Sequence, residues 1–343
     1  MTRFSTISWI VSLCAVVLAS PFAQAQSSLE TLLKKASLNR EEKATLEAEI
    51  KNKVKQLVDA PNAQALTDRR DFLLKLTRTS GMTPAGLAAL ADAAAEPLQI
   101  VAAGDAFDAA YAATVVLVEL KHPRAVGAMV AVLASEFPAV RYMAARGLKS
   151  TMPQLQASPG EFTTALEGLA QRGTKERDPI VLRALYDAID VHAAGINAKN
   201  GDACATALAT VFRGRLDALA SGSRDESKDL RGIAASTPCY EKAGEDGRVQ
   251  LAAAMAGLLD HCINRYFDPD TSVEARPGLA DVAAEQEKAL RQFMKTSGVK
   301  EPGKTVAAVL KSQSTDLAKQ ETDARAALEE IRRILRGDPW KLP

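Results

Sequence analysis

Residues 137–148 read Phe-Pro-Ala-Val-Arg-Tyr-Met-Ala-Ala-Arg-Gly-Leu, and this stretch decides the fold. The proline marks a helix start, because the first helical residue needs no N–H bond and proline already has a helical φ. Behind it, apolar residues recur at positions 140, 144 and 148, which is the spacing of one helix face. The stretch therefore predicts an amphipathic helix that begins at a proline.

The same arrangement recurs through the middle of the chain. Four pairs each place a proline at a helix start: His122-Pro123, Phe137-Pro138, Ser158-Pro159 and Asp178-Pro179. Their prolines are 15, 21 and 20 residues apart, so each interval fits one helix with a short turn. Helix pairs therefore repeat every 36 to 41 residues, which is typical of solenoids built from stacked helices.

The residues after Pro138 resemble the second helix of a HEAT repeat. In that family a proline starts the helix, and a pair such as Val140-Arg141 precedes small and apolar residues, here including Ala144 and Leu148. The resemblance to this HEAT/armadillo-like α-solenoid repeat family is partial. It implies a right-handed α-α superhelix that presents an extended concave surface to partners.

The resemblance covers about residues 105–191. Within them the residues 114–118, Thr-Val-Val-Leu-Val, are rich in β-branched side chains, which also favour a strand. However, Phe107, Tyr111 and Val115 keep helical spacing across the segment. We therefore expect a buried helix here and an all-α fold for the whole chain.

Polar residues at two helix starts predict a capping box, in which the cap and the third helical residue bond to each other's backbone. Asn39 precedes Glu42 by three residues, and Ser158 precedes Glu161 by three. Asp178 is a good N-cap by its residue type. These caps add to the prolines as predicted helix boundaries.

The pattern divides the chain into segments. The proline rhythm loosens after the repeats, and the helices predicted further on are less regular. The predicted division is a signal peptide at 1–25, a HEAT-like region at 26–220, a polar connector at 221–247 with at most one short helix, additional C-terminal helices at 248–336, and a flexible tail at 337–343.

Residues 1–25 have the three zones of a secretory signal peptide. Arg3 supplies the positive start, residues 7–19 are apolar, and Ala23-Gln24-Ala25 is a small-x-small cleavage pattern. We expect cleavage after Ala25 and a mature protein in the periplasm or outside the cell. No later window holds 18 uncharged apolar residues, so no membrane span is expected after cleavage.

Cleavage changes the charge balance and the cysteine count. The chain carries 43 basic and 42 acidic residues, and the signal peptide takes away one arginine and no acid. A mature chain without net charge has no global field that would attract nucleic acid, so no nucleic-acid partner is expected. Three cysteines remain, and in an oxidising compartment two of them usually pair. A disulfide between Cys204 and Cys239 is our prediction, with Cys262 left free.

Residues 298–305, Gly-Val-Lys-Glu-Pro-Gly-Lys-Thr, match the phosphate-binding P-loop pattern through Gly298, Gly303, Lys304 and Thr305. A P-loop needs a buried strand in front of the glycines, so that backbone N–H groups converge on the phosphates. The residues in front of this string instead form an amphipathic helical pattern. We therefore interpret the match as chance, in a turn between two helices, and predict no cofactor.

Other chemistry has little support in the sequence. The three histidines, His122, His192 and His261, are scattered, and the HExxH and GxSxG signatures are missing. Residues 268–279 start like a calcium loop but lack its glycine and its final glutamate. We predict no catalytic residue and no metal site.

The best-supported function is a non-enzymatic interaction scaffold or adaptor that binds another protein or an envelope component. Arg141, Arg146 and Arg183 are the predicted interaction surface, and Arg172 and Arg177 lie near them. Two alternatives stay open: an α/α-type enzyme or binding protein acting on an envelope polymer, and a self-associating structural envelope component. The enzyme predicts a deep pocket with converging carboxylates, whereas the scaffold predicts a shallow groove.

Overall fold

The computed structural model describes residues 28–222, 225–312 and 316–342. In these residues all regular structure is helical, and no strand occurs among them. This confirms the predicted all-α class. The signal peptide predicted at 1–25 lies outside the described residues.

The helices follow one another with short turns. A helical segment at 28–33 precedes them, and single 3-10 turns occupy Pro123–Ala125, Ala198–Asn200 and Glu226–Asp229. The α-helices are α1 Arg40–Val58, α2 Ala63–Thr77, α3 Pro84–Ala102, α4 Phe107–Glu119, α5 Val126–Val132, α6 Pro138–Leu155, α7 Pro159–Lys175, α8 Pro179–Ile189, α9 Gly201–Ala220, α10 Leu230–Lys242, α11 Glu245–Phe267, α12 Arg276–Thr296, α13 Val306–Leu310 and α14 Leu317–Arg336.

The helix starts confirm most of the predicted boundaries. Proline occupies the first turn of α3, α6, α7 and α8. The Asn39 side chain accepts from the Glu42 backbone N–H and the Glu42 carboxylate accepts from the Asn39 N–H, both at 2.9 Å. The capping box predicted at Ser158 is wrong, because its side chain makes no cap hydrogen bond and Pro159 already starts α7.

Each helix from α1 to α12 packs against the next helix but one, which arranges them in two rows. One row contains α1, α3, α5, α7, α9 and α11, and the other contains α2, α4, α6, α8, α10 and α12. The buried residues between the rows are mostly alanine, leucine and valine. A single helix pair could not bury its apolar surface by itself, so the stability of each pair depends on its neighbours.

Small residues allow the helices to approach closely. A Cβ atom added to Gly147 in α6 would lie 2.5 Å from a γ-carbon of Val118 in α4. One added to Gly168 in α7 would lie 2.5 Å from a γ-carbon of Val130 in α5. Glycine is therefore required at both positions by packing within a row, and each row is tied together by such contacts.

Residues 114–118 lie within α4, as the helical interpretation predicted. Residues 221–247, predicted as a polar connector with at most one short helix, contain one α-helix, the 13-residue α10. This helix packs on α8 and α12, and its Ile233 and Tyr240 are buried. The polar residues that suggested a loop lie on the exposed side of α10 and in the segment that precedes it.

The C-terminal helices extend the arrangement. Helices α11 and α12 continue the two rows, while α13 and α14 pack on α12 and α11 respectively. The tail predicted to be flexible is instead packed: Trp340 is only 2% exposed, and its indole Nε1 donates to the Tyr240 hydroxyl at 2.7 Å. An aromatic side chain that reaches a buried polar partner explains why the tail is held.

One helix in the described part of the chain, α3, is long and apolar enough to cross a membrane by length and hydropathy alone. It carries Asp92 and Glu96. Its buried side, which includes Leu90, Ala94 and Leu98, packs against α1 and α4. In the structure it is a helix of the core.

Candidate functional site

A groove of about 760 Å³ lies across α6, α8 and the start of α10. These are three successive helices of one row, and Asp225, Ser227 and Lys228 from the segment before α10 complete the lining. The groove is defined here by Tyr142, Arg146, Lys149, Pro179, Ile180, Arg183, Ala184, Asp187, Asp225, Ser227, Lys228, Leu230 and Arg231.

Helical spacing explains how these side chains come to face one cavity. Tyr142, Arg146 and Lys149 are separated by four and three residues along α6, so they form one stripe on its surface. In α8 the groove residues Ile180, Arg183 and Asp187 repeat this spacing. Because the two helices are neighbours in a row, the stripes lie side by side.

The groove carries five basic and two acidic side chains. Asp187 forms an ion pair with Arg231 and approaches the Lys149 amine at 3.8 Å. Asp225 pairs with Lys228 at 3.0 Å, and this contact helps to lower the pKa of Asp225 even though its partial burial acts to raise it. Both carboxylates of the groove are thus neutralised by neighbouring cations.

Arg146 and Arg183 differ from the other cations of the groove. Both are exposed, and neither has a carboxylate within ion-pair distance among the described residues. The Arg146 guanidinium lies 5.7 Å from the centroid of the Tyr142 ring, a cation–π contact that leaves its N–H groups free for other acceptors. Two uncompensated guanidinium groups therefore face solvent across the groove.

A set of ion-paired groups, most of them buried, is called the ionic layer below. Its members are Arg141, Arg172, Glu176, Arg215 and Asp229. Arg141 binds the Glu176 carboxylate through two nitrogens, at 2.8 and 2.9 Å, and Arg172 adds a third contact at 2.8 Å. A bidentate arginine–carboxylate pair is the strong form of this contact.

Glu176 is the centre of the ionic layer. Its side chain is 1% exposed, and it accepts two further hydrogen bonds from the backbone N–H groups of Arg177 and Asp178, both at 3.0 Å. Burial acts to raise the pKa of this carboxyl, but the bonds from Arg141, Arg172 and the backbone prevail and lower its pKa to about 2. Glu176 therefore stays ionised and fixes the turn between α7 and α8.

The second half of the ionic layer joins α8, α9 and the segment before α10. Asp229 accepts from the Tyr186 hydroxyl at 2.6 Å and from the Arg215 Nε at 3.0 Å. Arg215 Nη1 also donates to the backbone oxygen of Glu176 at 3.4 Å, which connects the two halves. Burial raises the pKa of Asp229 and of Tyr186, so both groups depend on these partners rather than on water.

Arg231 fixes the far edge of the groove. It pairs with Asp187 and, at 2.7 Å, with the buried Asp190 just after α8. Asp190 in turn accepts from the backbone N–H groups of His192 and Ala193, at 2.8 and 3.2 Å. The end of α8 and the start of α10 are therefore held in register by charge-assisted hydrogen bonds.

The structure corrects one of the predicted surface residues. Arg141 is not on the exposed surface: it is 7% exposed and bound to Glu176. The reason is that Glu176, 35 residues further along the chain, brings a carboxylate to the inner side of α6. Arg146 and Arg183 are brought together in the groove, whereas Arg177 is exposed outside it.

Three cations of the groove were missed by sequence reasoning. Lys149 continues the stripe of Arg146 at helical spacing, a signal that was available in the sequence. Lys228 and Arg231 lie in the segment interpreted as a polar connector, so nothing placed them beside α8. Their position depends on the packing of α10 against α8, which is a tertiary contact.

The three cysteines of the described residues are buried free thiols, so the predicted disulfide between Cys204 and Cys239 is not formed in the structure. Cys239 lies inside α10 rather than in a loop, and its Sγ is 3.8 Å from the Ile189 carbonyl oxygen. Burial raises the pKa of Cys239 and of Cys262 to about 12. Burial also raises the pKa of Cys204 well above its ordinary value.

The P-loop string lies in the turn between α12 and α13, with a helix rather than a strand in front of it. Gly298, Gly303, Lys304 and Thr305 therefore lack the arrangement that binds phosphate. The backbone N–H groups that open α13, at Val306 and Ala307, donate to the buried Glu287 at 3.1 and 2.8 Å. A carboxylate of the protein itself occupies the position that an anion would need.

His122, His261 and Asp268 make hydrogen bonds to nearby groups of the protein. His122 Nδ1 accepts from the backbone N–H of Arg124 at 3.3 Å, and burial lowers its pKa. His261 Nε2 lies 3.3 Å from the Glu226 carboxylate, and Asp268 accepts from the Asp270 N–H at 2.9 Å. Among the described residues no group of three or more histidine, cysteine or acidic side chains is placed to hold a metal ion.

Comparisons with known proteins add little to the geometry. No protein-family model matches the chain, and no curated protein matches it either. The chain is similar to the crystal structure of an engineered protein, a Northeast Structural Genomics Consortium target, with 15% sequence identity and a TM-score of 0.26. That alignment covers 83% of this chain and 97% of the engineered one.

Proposed function

We propose that this chain is an exported α-solenoid of the HEAT/armadillo-like kind that works as a non-enzymatic interaction scaffold in the periplasm or outside the cell. The two-row packing of α1 to α12 supports a superhelix, because each helix contacts the next but one. The apolar run and the small-x-small pattern within residues 1–25 support export. The partner is another protein, bound in the groove.

The observation that carries the proposal is the groove with its two uncompensated arginines. Arg146 and Arg183 lie on neighbouring helices, and the Arg141–Glu176 pair ties α6 to the turn before α8, yet the two groove arginines make no ion pair of their own among the described residues. Exposed guanidinium groups on a fixed scaffold are suited to bind carboxylates of a partner. Exposed apolar residues in the same groove, Ile180 and Leu230, add surface that a partner would bury.

The groove is less suited to catalysis on an envelope polymer. Its two carboxylates, Asp187 and Asp225, are both held in ion pairs. A catalytic acid pair needs one carboxyl whose pKa is raised, whereas the pKa of Asp225 is lowered. These features favour a binding surface over a hydrolytic site.

Photo-crosslinking in the native host tests the proposal. The full chain is expressed with Ile180 replaced by p-benzoylphenylalanine, since this side chain is 65% exposed in the groove. The expected result is one discrete adduct in the envelope or medium fraction, formed with a second protein. The matched control places the same crosslinker at Val58, which is also exposed but lies on α1 outside the groove.

The same experiment is then repeated in the background Arg146→Glu/Arg183→Glu, where the adduct should be lost. The charge-matched control is Arg40→Glu/Arg333→Glu, because both of these arginines are exposed and lie outside the groove. An adduct that persists in the groove variant, or that forms only between copies of this chain, would overturn the proposal.

A further inference from the structure

We propose that the groove takes an extended acidic segment of the partner protein, with two carboxylate side chains for Arg146 and Arg183 and an apolar side chain between them. This inference rests on the proposed function and adds the chemistry of the partner.

The charge pattern points to carboxylates. Lys228 and Arg231 already have acidic partners within the protein, and Lys149 lies near Asp187. Arg146 and Arg183 are the two cations of the groove that lack an ion-pair partner among the described residues. In the groove a carboxylate already lies beside each of the other three cations. An incoming pair of carboxylates would give Arg146 and Arg183 the same kind of partner.

The apolar part of the groove points to a peptide. Ile180 is 65% exposed and Leu230 is 39% exposed, and both line the same cavity as the arginines. The Tyr142 ring and Pro179 extend this apolar surface. A side chain such as leucine or phenylalanine would bury this surface, which neither a free anion nor a polyphosphate chain could do.

The size of the groove sets the length of the segment. Three neighbouring helices at the usual spacing of roughly 8–10 Å span about 20 Å from the first axis to the third. An extended chain rises about 3.3 Å per residue, so the segment is about six residues long. Lys149, Lys228 and Arg231 already lie beside Asp187 or Asp225, which leaves two cations for the carboxylates of such a segment.

These features also argue against a nucleic acid or an anionic membrane surface as the occupant. A backbone of continuous phosphates needs a longer run of unpaired cations than Arg146 and Arg183 supply. A flat membrane surface would not reach side chains that line a concave groove. Both remain outcomes of the experiment below.

Selection from a displayed library of random 12-residue peptides on the purified mature chain tests the inference. We expect the enriched peptides to carry two acidic residues that flank an apolar residue within a window of about six positions. The same selection on Arg146→Glu/Arg183→Glu should not enrich them, whereas selection on Arg40→Glu/Arg333→Glu should. Enriched peptides without acidic residues, or no enrichment at all, would overturn the inference.

The best enriched peptide is then made with a fluorescent label and titrated by anisotropy. Binding should weaken at least tenfold in Arg146→Glu/Arg183→Glu and should also weaken when salt shortens the Debye length from about 10 Å to about 3 Å. Replacing the two acidic residues of the peptide by their amides should weaken it to a similar degree. Unchanged binding in the groove variant contradicts the inference.

Two competitors identify a different occupant. A 12-nucleotide oligothymidine and vesicles of phosphatidylglycerol with phosphatidylcholine are added to the labelled complex. If either binds the groove more tightly than the peptide does, the acidic peptide is the wrong occupant. A crosslink from Ile180 to a partner that lacks an acidic segment would refute this inference alone, while no groove-dependent crosslink would refute the proposed function.

Discussion

The ionic layer and the groove both use α6, yet they use its arginines in opposite ways. Arg141 and Arg146 are five residues apart on α6, and the first is buried against Glu176 while the second is exposed without an acidic partner. The difference teaches that the sequence position of an arginine says little about its role. Its partners from other helices decide whether it stabilises the fold or remains free to bind.

Removal of one partner from the ionic layer should have the largest effect on stability. Arg141→Ala leaves Glu176 buried with fewer charge-assisted bonds, and we expect it to lower the free energy of unfolding by about 3–5 kcal/mol. The control is Arg146→Ala in the groove, which we expect to change the free energy of unfolding by no more than about 0.5 kcal/mol. Urea denaturation of both variants measures the difference, and equal losses would contradict the assignment.

The second largest effect on stability should be the loss that accompanies protonation of Glu176 in acid. Glu176 has a pKa of about 2 in the fold, against an ordinary value of 4.5. Because its folded pKa is depressed, its contribution is complete above pH 4.5 and is lost as the pH falls towards 2. The expected loss is about 3 kcal/mol over this window.

Comparison of the pH–stability curves of the wild type and of Glu176→Gln isolates this carboxyl from the other acids. The variant should be less stable at neutral pH and should approach the wild type below about pH 3. Parallel curves through the acid window would show that Glu176 does not titrate as described.

A smaller effect is expected from the hydroxyl at the second half of the ionic layer. Tyr186→Phe removes the 2.6 Å bond to Asp229 and leaves this buried carboxylate with Arg215. We expect a loss of about 1–2 kcal/mol. The matched groove variant is Tyr142→Phe, whose ring contacts Arg146 and whose hydroxyl has no buried acceptor to lose, so thermal unfolding should separate the two substitutions.

The smallest effect on stability is expected in the groove itself. Arg146→Glu/Arg183→Glu removes no ion pair, so the unfolding free energy should stay within about 0.5 kcal/mol of the wild type per site. Both side chains are exposed, and either can be replaced without a cavity. Differential scanning calorimetry checks this, and a large fall in melting temperature would show that the two arginines belong to the structural network.

Much of the fold followed from local signals in the sequence. The prolines that open α6, α7 and α8 and the helical spacing within α4 predicted helices correctly. These signals act within a few residues, so one sequence is enough to interpret them. The box at Ser158 failed because its side chain makes no cap hydrogen bond, whereas Asp178, which also precedes a helix-starting proline, accepts from two backbone N–H groups.

Only part of the candidate site could be predicted from local signals in the sequence. Arg146 and Arg183 were identified, but the burial of Arg141 depends on Glu176, which lies 35 residues away. The role of α10 was missed because its buried residues are diluted by polar ones, and the docking of Trp340 depends on Tyr240, 100 residues earlier. Contacts at these separations are set by how the rows stack, which local periodicity does not encode.

The central claim is that the buried Arg141 stabilises the fold, whereas Arg146 on the same helix and Arg183 on α8 bind the partner. The most direct measurement determines urea midpoint and partner crosslinking in parallel for Arg141→Ala and for Arg146→Glu/Arg183→Glu, with the crosslinker at Ile180. The account predicts that the first variant loses stability and keeps its adduct under conditions where it is folded, while the second keeps its stability and loses the adduct. A groove variant that unfolds like Arg141→Ala, or that retains the adduct at full yield, would contradict it.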